Sequence, residues 1–216
     1  MPMTVAASQE DVWTRVRGPV LAWRTVVGCG LALAVGYSAY IAYFFGLFVP
    51  PLSADLGWSR TEIAFALSLC NLAVVFLSPV LGWLIDRSDP RWLILGSATA
   101  FSAACVGIAL APASLITFYA LHVVLAVAAL GTLPATFTRI IVAWFDKRRG
   151  LALGVSLAGV GLGAALVAPI IQHAIGLHGW RGGYLALAAV VAIVALPSVF
   201  LLVRSSPAPL GLGFDG

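Results

Sequence analysis

A few polar side chains interrupt stretches that are otherwise free of charge, and each of them needs a reason. Tyr37, Tyr40 and Tyr43 recur at three-residue spacing, with Ser38 beside them. Asn71 and His122 each stand in apolar surroundings, and Thr132, Thr136 and Arg139 fall on one face at helical spacing. Phenolic hydroxyls can bind a carboxylate, an arginine can hold an anion, and an imidazole can carry a proton near physiological pH. Every one of these groups also has a structural alternative. The tyrosines can form an aromatic packing stripe with hydroxyls bonded to backbone. Asn71 can hydrogen-bond between helices, and His122 can sit neutral and donate to a neighbour. Arg139 can snorkel to the surface or meet Asp146.

The elements that must carry these groups follow from composition. The chain has 216 residues, 62% hydrophobic and only 9% charged, with a mean hydropathy of +1.05. A soluble domain needs charged residues at roughly a quarter of its positions, so most of this surface must face lipid. The net charge of +4 does not imply nucleic acid, because the basic residues lie between apolar runs rather than along one polar face. Cys29, Cys70 and Cys105 are each isolated within an apolar run and read as small packing residues. No metal-ligand spacing and no cofactor motif is present.

A helix crosses the hydrocarbon core with about 20 apolar residues. The first charge-free run extends from Thr25 to Ala54, with a stop expected at Val49-Pro50-Pro51. The second covers Ile63 to Ile85. The run from Trp92 to Thr138 is too long for one span, and Ala111-Pro112-Ala113-Ser114 should divide it, since proline breaks a helix and serine starts one. A fifth run covers Gly150 to Ile175 and a sixth Tyr184 to Val203. The expectation is an all-α membrane protein: a cytoplasmic tail over 1–22, six transmembrane helices over 23–203, and the start of a cytoplasmic linker over 204–216. Arg15, Arg17, Arg24, Arg87, Arg91, Lys147, Arg148, Arg149 and Arg204 fall in one set of loops, against Arg60 and Arg181 in the other. The positive-inside rule then places both termini in the cytoplasm. The excess of arginine over lysine points to a bacterial inner membrane. Trp23, Trp58, Trp92, Trp144 and Trp180 fall at expected span ends, where indole prefers the headgroup layer.

Two loops carry recognisable patterns. The second-to-third loop reads Gly82-Trp-Leu-Ile-Asp86-Arg87-Ser-Asp89-Pro90-Arg91. The fourth-to-fifth reads Trp144-Phe145-Asp146-Lys147-Arg148-Arg149-Gly150-Leu151-Ala152, followed by Gly154, Gly159, Gly161 and Gly163. The first resembles the loop pattern of the major facilitator superfamily, with Gly82, Asp86 and Arg87 in place, Asp89 and Pro90 departing from it, and Arg91 in the displaced basic role. The second resembles the fifth-helix signature of the monocarboxylate transporters and oxalate/formate antiporters. Phe48-Val49-Pro50-Pro51-Leu52 before Leu56-Gly57-Trp58-Ser59-Arg60, and Gly179-Trp180-Arg181 before Tyr184, agree with that branch. Arg60 and Arg148 are each followed eight residues later by Ser-Leu, at Ser68-Leu69 and Ser156-Leu157, which fits a three-plus-three inverted repeat.

The resemblance implies the N-terminal half of a twelve-helix secondary transporter that moves small organic anions by alternating access. It implies that the first and fourth helices line the central cavity, making Tyr37, Tyr40, Asn71, His122 and Arg139 candidate substrate contacts. It implies a cytoplasmic latch of Gly82, Asp86, Arg87, Arg91, Asp146 and Arg148. Gly154, Gly159, Gly161 and Gly163 would let the fifth helix pack closely. The expected partners are the lipid bilayer, a small organic anion and a missing or separate C-terminal six-helix half. The alternatives are a self-associating half-unit and a non-transporting fragment. No Gly-x-x-x-x-Gly-Lys-Ser/Thr run occurs, so a proton or counter-substrate gradient would supply the energy. An enzyme is not expected: His173 and His178 lie at the outer edge, away from His122, and no paired acids lie within the spans.

Overall fold

The computed structural model describes residues 5–208, with side chains from residue 18 onward. Residues 1–4 of the expected tail, the side chains of Arg15 and Arg17, and residues 209–216 of the expected linker lie outside the described residues. The described chain is helical. In order it forms α1 (Val5–Val35), α2 (Tyr37–Ala39), a π turn (Tyr40–Phe44), α3 (Phe45–Leu56), α4 (Arg60–Arg87), α5 (Pro90–Leu110) and α6 (Leu115–Ala128). A 3-10 turn (Leu130–Thr132), α7 (Pro134–Trp144), α8 (Arg149–Val190), a second π turn (Val191–Ala195) and α9 (Leu196–Leu202) complete it. Four helical stretches, Gly18–Leu56, Arg60–Arg87, Pro90–Leu110 and Arg149–Leu202, are long and apolar enough to cross a membrane, and Leu115–Ala128 is a shorter apolar helix.

The helix ends follow local chemistry. Gly57, at φ 69°, stops α3 and donates its N–H to the Ser53 carbonyl at 3.1 Å. Ser59 then opens α4 with a capping box: its hydroxyl accepts the Glu62 N–H at 3.2 Å, and the Glu62 carboxylate accepts the Ser59 N–H at 2.8 Å. Asp89 caps α5 by accepting the Arg91 N–H at 2.9 Å, with Pro90 in the first turn. The expected division at Ala111–Ser114 is present, with Ala111 closing α5 and Ser114 opening α6.

The expected stop at Val49-Pro50-Pro51 is corrected. The helix runs through both prolines to Leu56. Prolines there leave only the carbonyls of Gly46 and Leu47 without intrahelical donors, whereas a helix end at that depth would open a whole turn of carbonyls to lipid. At the other end the helix starts at Val5, and Ala22 is fully buried in the bundle.

α8 and its extension to Leu202 are far too long for one crossing. At about 1.5 Å per residue, the 54 residues of this stretch would exceed twice the hydrocarbon thickness. Gly179 breaks them, with φ 67° and ψ −169° inside the helix. The two arms fold back along α1. Before the break, a Cβ on Gly159 would strike the Gly30 backbone, and one on Gly163 would strike the Ala34 backbone. After it, a Cβ on Gly28 would meet Leu202 Cβ at 2.8 Å. Gly154 and Gly161, expected to share the packing role, face open space: a Cβ on either would meet nothing within 4 Å.

α5 lies along the second arm of α8, where the Ser102 hydroxyl donates to the Ala188 carbonyl at 2.9 Å. Two arginines tie this pair at opposite ends. Arg91, in the first turn of α5, donates to the Phe200 carbonyl in the last turns of α9 and stacks over the Phe200 ring. Arg181, in the first turn after the Gly179 break, donates to the Ala109 and Ala111 carbonyls at 3.0 and 2.8 Å. Each helix therefore starts with an arginine that satisfies the open carbonyls of its partner's end. Arg181→Ala should lower the unfolding free energy by roughly 1–3 kcal/mol, read as a lower midpoint in detergent. Arg181→Lys should recover only part, because an ammonium cannot reach two carbonyls as a fork does.

Candidate functional site

The helical stretch Gly18–Leu56 and the α6–α7 stretch over 115–144 are both interrupted near mid-length, and the two interruptions meet. α1 ends at Val35, and Gly36 is extended, with φ −76° and ψ −177°. The Tyr37 N–H is released from the helical ladder and donates to the Thr132 hydroxyl at 3.2 Å. Thr132 lies in the 3-10 turn that interrupts the other rod, and its hydroxyl donates to the Ala129 carbonyl at 2.7 Å. Leu133 is extended ahead of Pro134, and the helix restarts there as α7. Gly36 lies against Thr132: a Cβ there would sit 3.4 Å from the Thr132 carbonyl oxygen, an ordinary van der Waals contact.

Buried polar groups collect around this junction. The hydroxyls of Tyr37 and Thr136 are buried without a hydrogen-bond partner among the described residues. Such groups are uncommon in folded proteins. One turn further, Tyr40, His122 and Tyr184 form a closed polar triangle, each fully buried. The Tyr40 hydroxyl lies 3.0 Å from His122 Nε2 and 3.2 Å from the Tyr184 hydroxyl, and Tyr184 lies 3.2 Å from His122 Nε2. His122 Nδ1 lies 2.8 Å from the Phe118 carbonyl. A carbonyl can only accept, so Nδ1 carries the proton and Nε2 accepts from a tyrosine. Phe45, Phe101 and Phe118 surround the triangle at ring distances of 4.0–6.0 Å. The Cys70 thiol donates to the His122 carbonyl at 3.2 Å and attaches α4 to the same cluster.

The candidates therefore divide by depth. Tyr37, Tyr40 and His122 come together inside the bundle with Tyr184 and Thr132. Asn71 stands on the exposed face of α4 and Tyr43 is half exposed. Arg139 is exposed and pairs with Asp86 at 2.8 Å. This pair joins a residue expected in the cavity to one expected in the latch. Arg87 stacks over Trp83, and Arg91 serves the α9 end described above. Asp146 accepts from Arg149 at 3.5 Å within its own loop. Gly82 faces open space, and Lys147 and Arg148 are exposed at the start of α8.

The sequence marks Tyr184 only as the start of the sixth span. Its signal is a polar aromatic one turn past Trp180, but spacing alone does not connect it to residues more than sixty positions away.

The sequence matches the Major Facilitator Superfamily profile over residues 30–214. A riboflavin transporter, RibJ, of Trypanosoma brucei brucei is 30% identical over 66% of this chain and 27% of its own length. Monocarboxylate transporter 11 of Mus musculus is 30% identical over 78% of this chain and 37% of its own length. The oxalate:formate antiporter of Oxalobacter formigenes is 24% identical over 75% of this chain and 38% of its own length. The chain thus spans less than half the length of these relatives. Its helical, multi-pass architecture and the match over most of its length make it a member of the Major Facilitator Superfamily of membrane transporters, in the branch that holds the monocarboxylate transporters and the oxalate:formate antiporter.

Proposed function

We propose that these residues form the N-terminal six-helix bundle of a secondary transporter that moves small carboxylates by alternating access. The observation that carries this is the meeting of two interrupted helices at Gly36 and Thr132. Paired interruptions at corresponding places in two repeats are where transporters of this kind hold their cargo. The six rods are residues 18–56, 60–87, 90–110, 115–144, 149–178 and 180–202. The first packs on the fifth and sixth, the fourth on the second and third, and the third on the sixth. Exchanging one with four, two with five and three with six leaves this pattern unchanged, and exchanges Arg91 with Arg181. That symmetry supports a three-plus-three inverted repeat. The cation-rich loops support cytoplasmic termini, and the relatives' names support a carboxylate cargo.

In this reading Arg139 is the cation that an anionic substrate meets, and Asp86 holds it when the cargo is absent. A second bundle completes the cavity over the exposed faces of α4 and the first arm of α8. Reconstituted alone in proteoliposomes, the chain should give no gradient-driven uptake of labelled lactate or oxalate. Robust uptake would overturn the half-bundle assignment. In a chain completed by a second bundle, Arg139→Gln should cut carboxylate uptake at least about ten-fold, one lost charge contact of about 1.4 kcal/mol. Its stability should stay within about 1 kcal/mol, since exposed pairs contribute little. The riboflavin transporter among the relatives supplies the rival cargo: saturable riboflavin uptake insensitive to Arg139 would displace the carboxylate assignment.

A further inference from the structure

We infer that the chain's exit from the bundle is a tether that fixes the tilt of α7, the short helix carrying Arg139, so that movement of the chain beyond α9 is felt at Arg139. The use of that coupling in transport rests on the role proposed for Arg139; the coupling itself does not. After α9 ends at Leu202, Val203 is extended, with φ −87° and ψ 131°, and fully buried. Backbone groups that leave a helix in apolar surroundings need new partners, and this segment has them. The Arg204 N–H donates to the Thr25 hydroxyl of α1 at 3.4 Å, and the Arg204 carbonyl accepts from Nε1 of the Trp144 indole at 2.8 Å. The Thr25 hydroxyl donates in turn to the Leu202 carbonyl at 3.3 Å. The Ser205 hydroxyl donates to the Asp89 carboxylate that caps α5. Residues 202–205 thus reach α1, α7 and the start of α5, while the Arg204 side chain stays exposed.

α7 is placed to respond. It has 11 residues, and extended residues isolate it at both ends, Leu133 before Pro134 and Phe145 after Trp144. Its hydrogen-bond ladder does not continue into either neighbour, so a stiff helix of roughly 16 Å can tilt as one piece. Two ties oppose that tilt. Asp86 of α4 holds Arg139 at 2.8 Å. A turn and a half further on, and roughly 140° around the helix, the exit segment holds Trp144. Trp144 is fully buried, so its indole N–H is left unpaired when the tether leaves. While one tie holds, α7 already has the orientation that the other requires. The ordering of α7 is then shared between them, and each tie strengthens the other. By linkage the effect runs in both directions, from the exit segment to Arg139 and back.

The test exposes the full chain, purified in detergent, to trypsin and counts the released peptide 205–216 by mass spectrometry. Cleavage after Arg204 requires the segment to leave its bonds, so the rate follows the open population. Trp144→Phe removes the indole donor, keeps a ring, and should raise the rate about five-fold, the effect of one hydrogen bond. Thr25→Val should act to a similar extent and serves if the tryptophan variant does not fold. The decisive variant is Asp86→Asn, a change on α4, to which the exit segment makes no hydrogen bond among the described residues. It should raise cleavage at Arg204 about two- to three-fold in the unaltered chain and leave it unchanged in Trp144→Phe, where α7 is already released. An equal rise in both backgrounds would mean general loosening and would overturn the coupling, as would no rise in either. Cleavage indifferent to both Trp144→Phe and Thr25→Val would overturn the tether. No cargo or gradient enters the cycle, so a failed assignment of Arg139 to the anion would leave its outcome standing.

Discussion

Gly163→Leu should prevent this chain from reaching a stable fold, whereas Gly161→Leu should leave the isolated chain within about 0.5 kcal/mol of its original stability. The two residues are neighbours on one helix and differ in what they face. A Cβ at Gly163 would fall on the backbone of Ala34, and one at Gly159 on the backbone of Gly30. Backbone cannot rotate aside as a side chain does, so the whole arm of α8 would have to move away from α1. α1 and α8 pack extensively on one another, and in lipid their pairing depends on close van der Waals approach because burial of apolar surface offers no gain there. Overpacking commonly costs about 1–3 kcal/mol, and a clash with backbone at the main interface should exceed that range. Thermal unfolding in detergent and yield of monodisperse protein measure both variants. Equal behaviour of the two would show that α1 and α8 do not meet at these glycines.

The contrast between these glycines also shows how far the sequence could be read. Gly154, Gly159, Gly161 and Gly163 form one small-residue run, and the run does announce a packing helix. Which members touch depends on the rotation of α8 about its axis, and an apolar composition on every side carries little information about rotation. Element ends are legible where one residue decides them, as at Ala111–Ser114 or Asp89–Pro90. They mislead at Pro50–Pro51, where the cost of opening carbonyls to lipid outweighs the cost of two prolines. The polar centre is half legible. Tyr40 and His122 stand out because polar groups in apolar runs are costly. Tyr184, 144 residues from Tyr40, becomes a partner only once Gly179 has turned the chain back. Arg91 likewise reads as a latch residue from its loop, and its reach to Phe200 depends on the antiparallel pairing of α5 with the second arm of α8.

His122→Ala should be nearly as damaging as the glycine clash, and for a different reason. The imidazole joins three helical segments: its Nδ1–H is held by the Phe118 carbonyl of its own helix and its Nε2 lies against the hydroxyls of Tyr40 and Tyr184, while the His122 backbone carbonyl, which alanine would keep, accepts from Cys70 of α4. Removing it opens a cavity among Phe45, Phe101 and Phe118 and leaves two tyrosine hydroxyls with only each other. Cavity and polar costs together come to about 3–5 kcal/mol, or roughly 10 °C in the unfolding midpoint for a chain of this size. Tyr184→Phe should cost less, about 1–2 kcal/mol, since the Tyr40 hydroxyl still reaches His122. The same geometry predicts the functional phenotype. An imidazole buried in this way has no open route for a proton to arrive or leave, so we expect it to hold the helices together rather than to carry a proton. His122→Gln, which can still bond both sides, should therefore restore most of the stability, and in a completed transporter it should keep the pH profile of uptake. A shift of that profile in His122→Gln, at unchanged stability, would instead make this histidine the proton carrier.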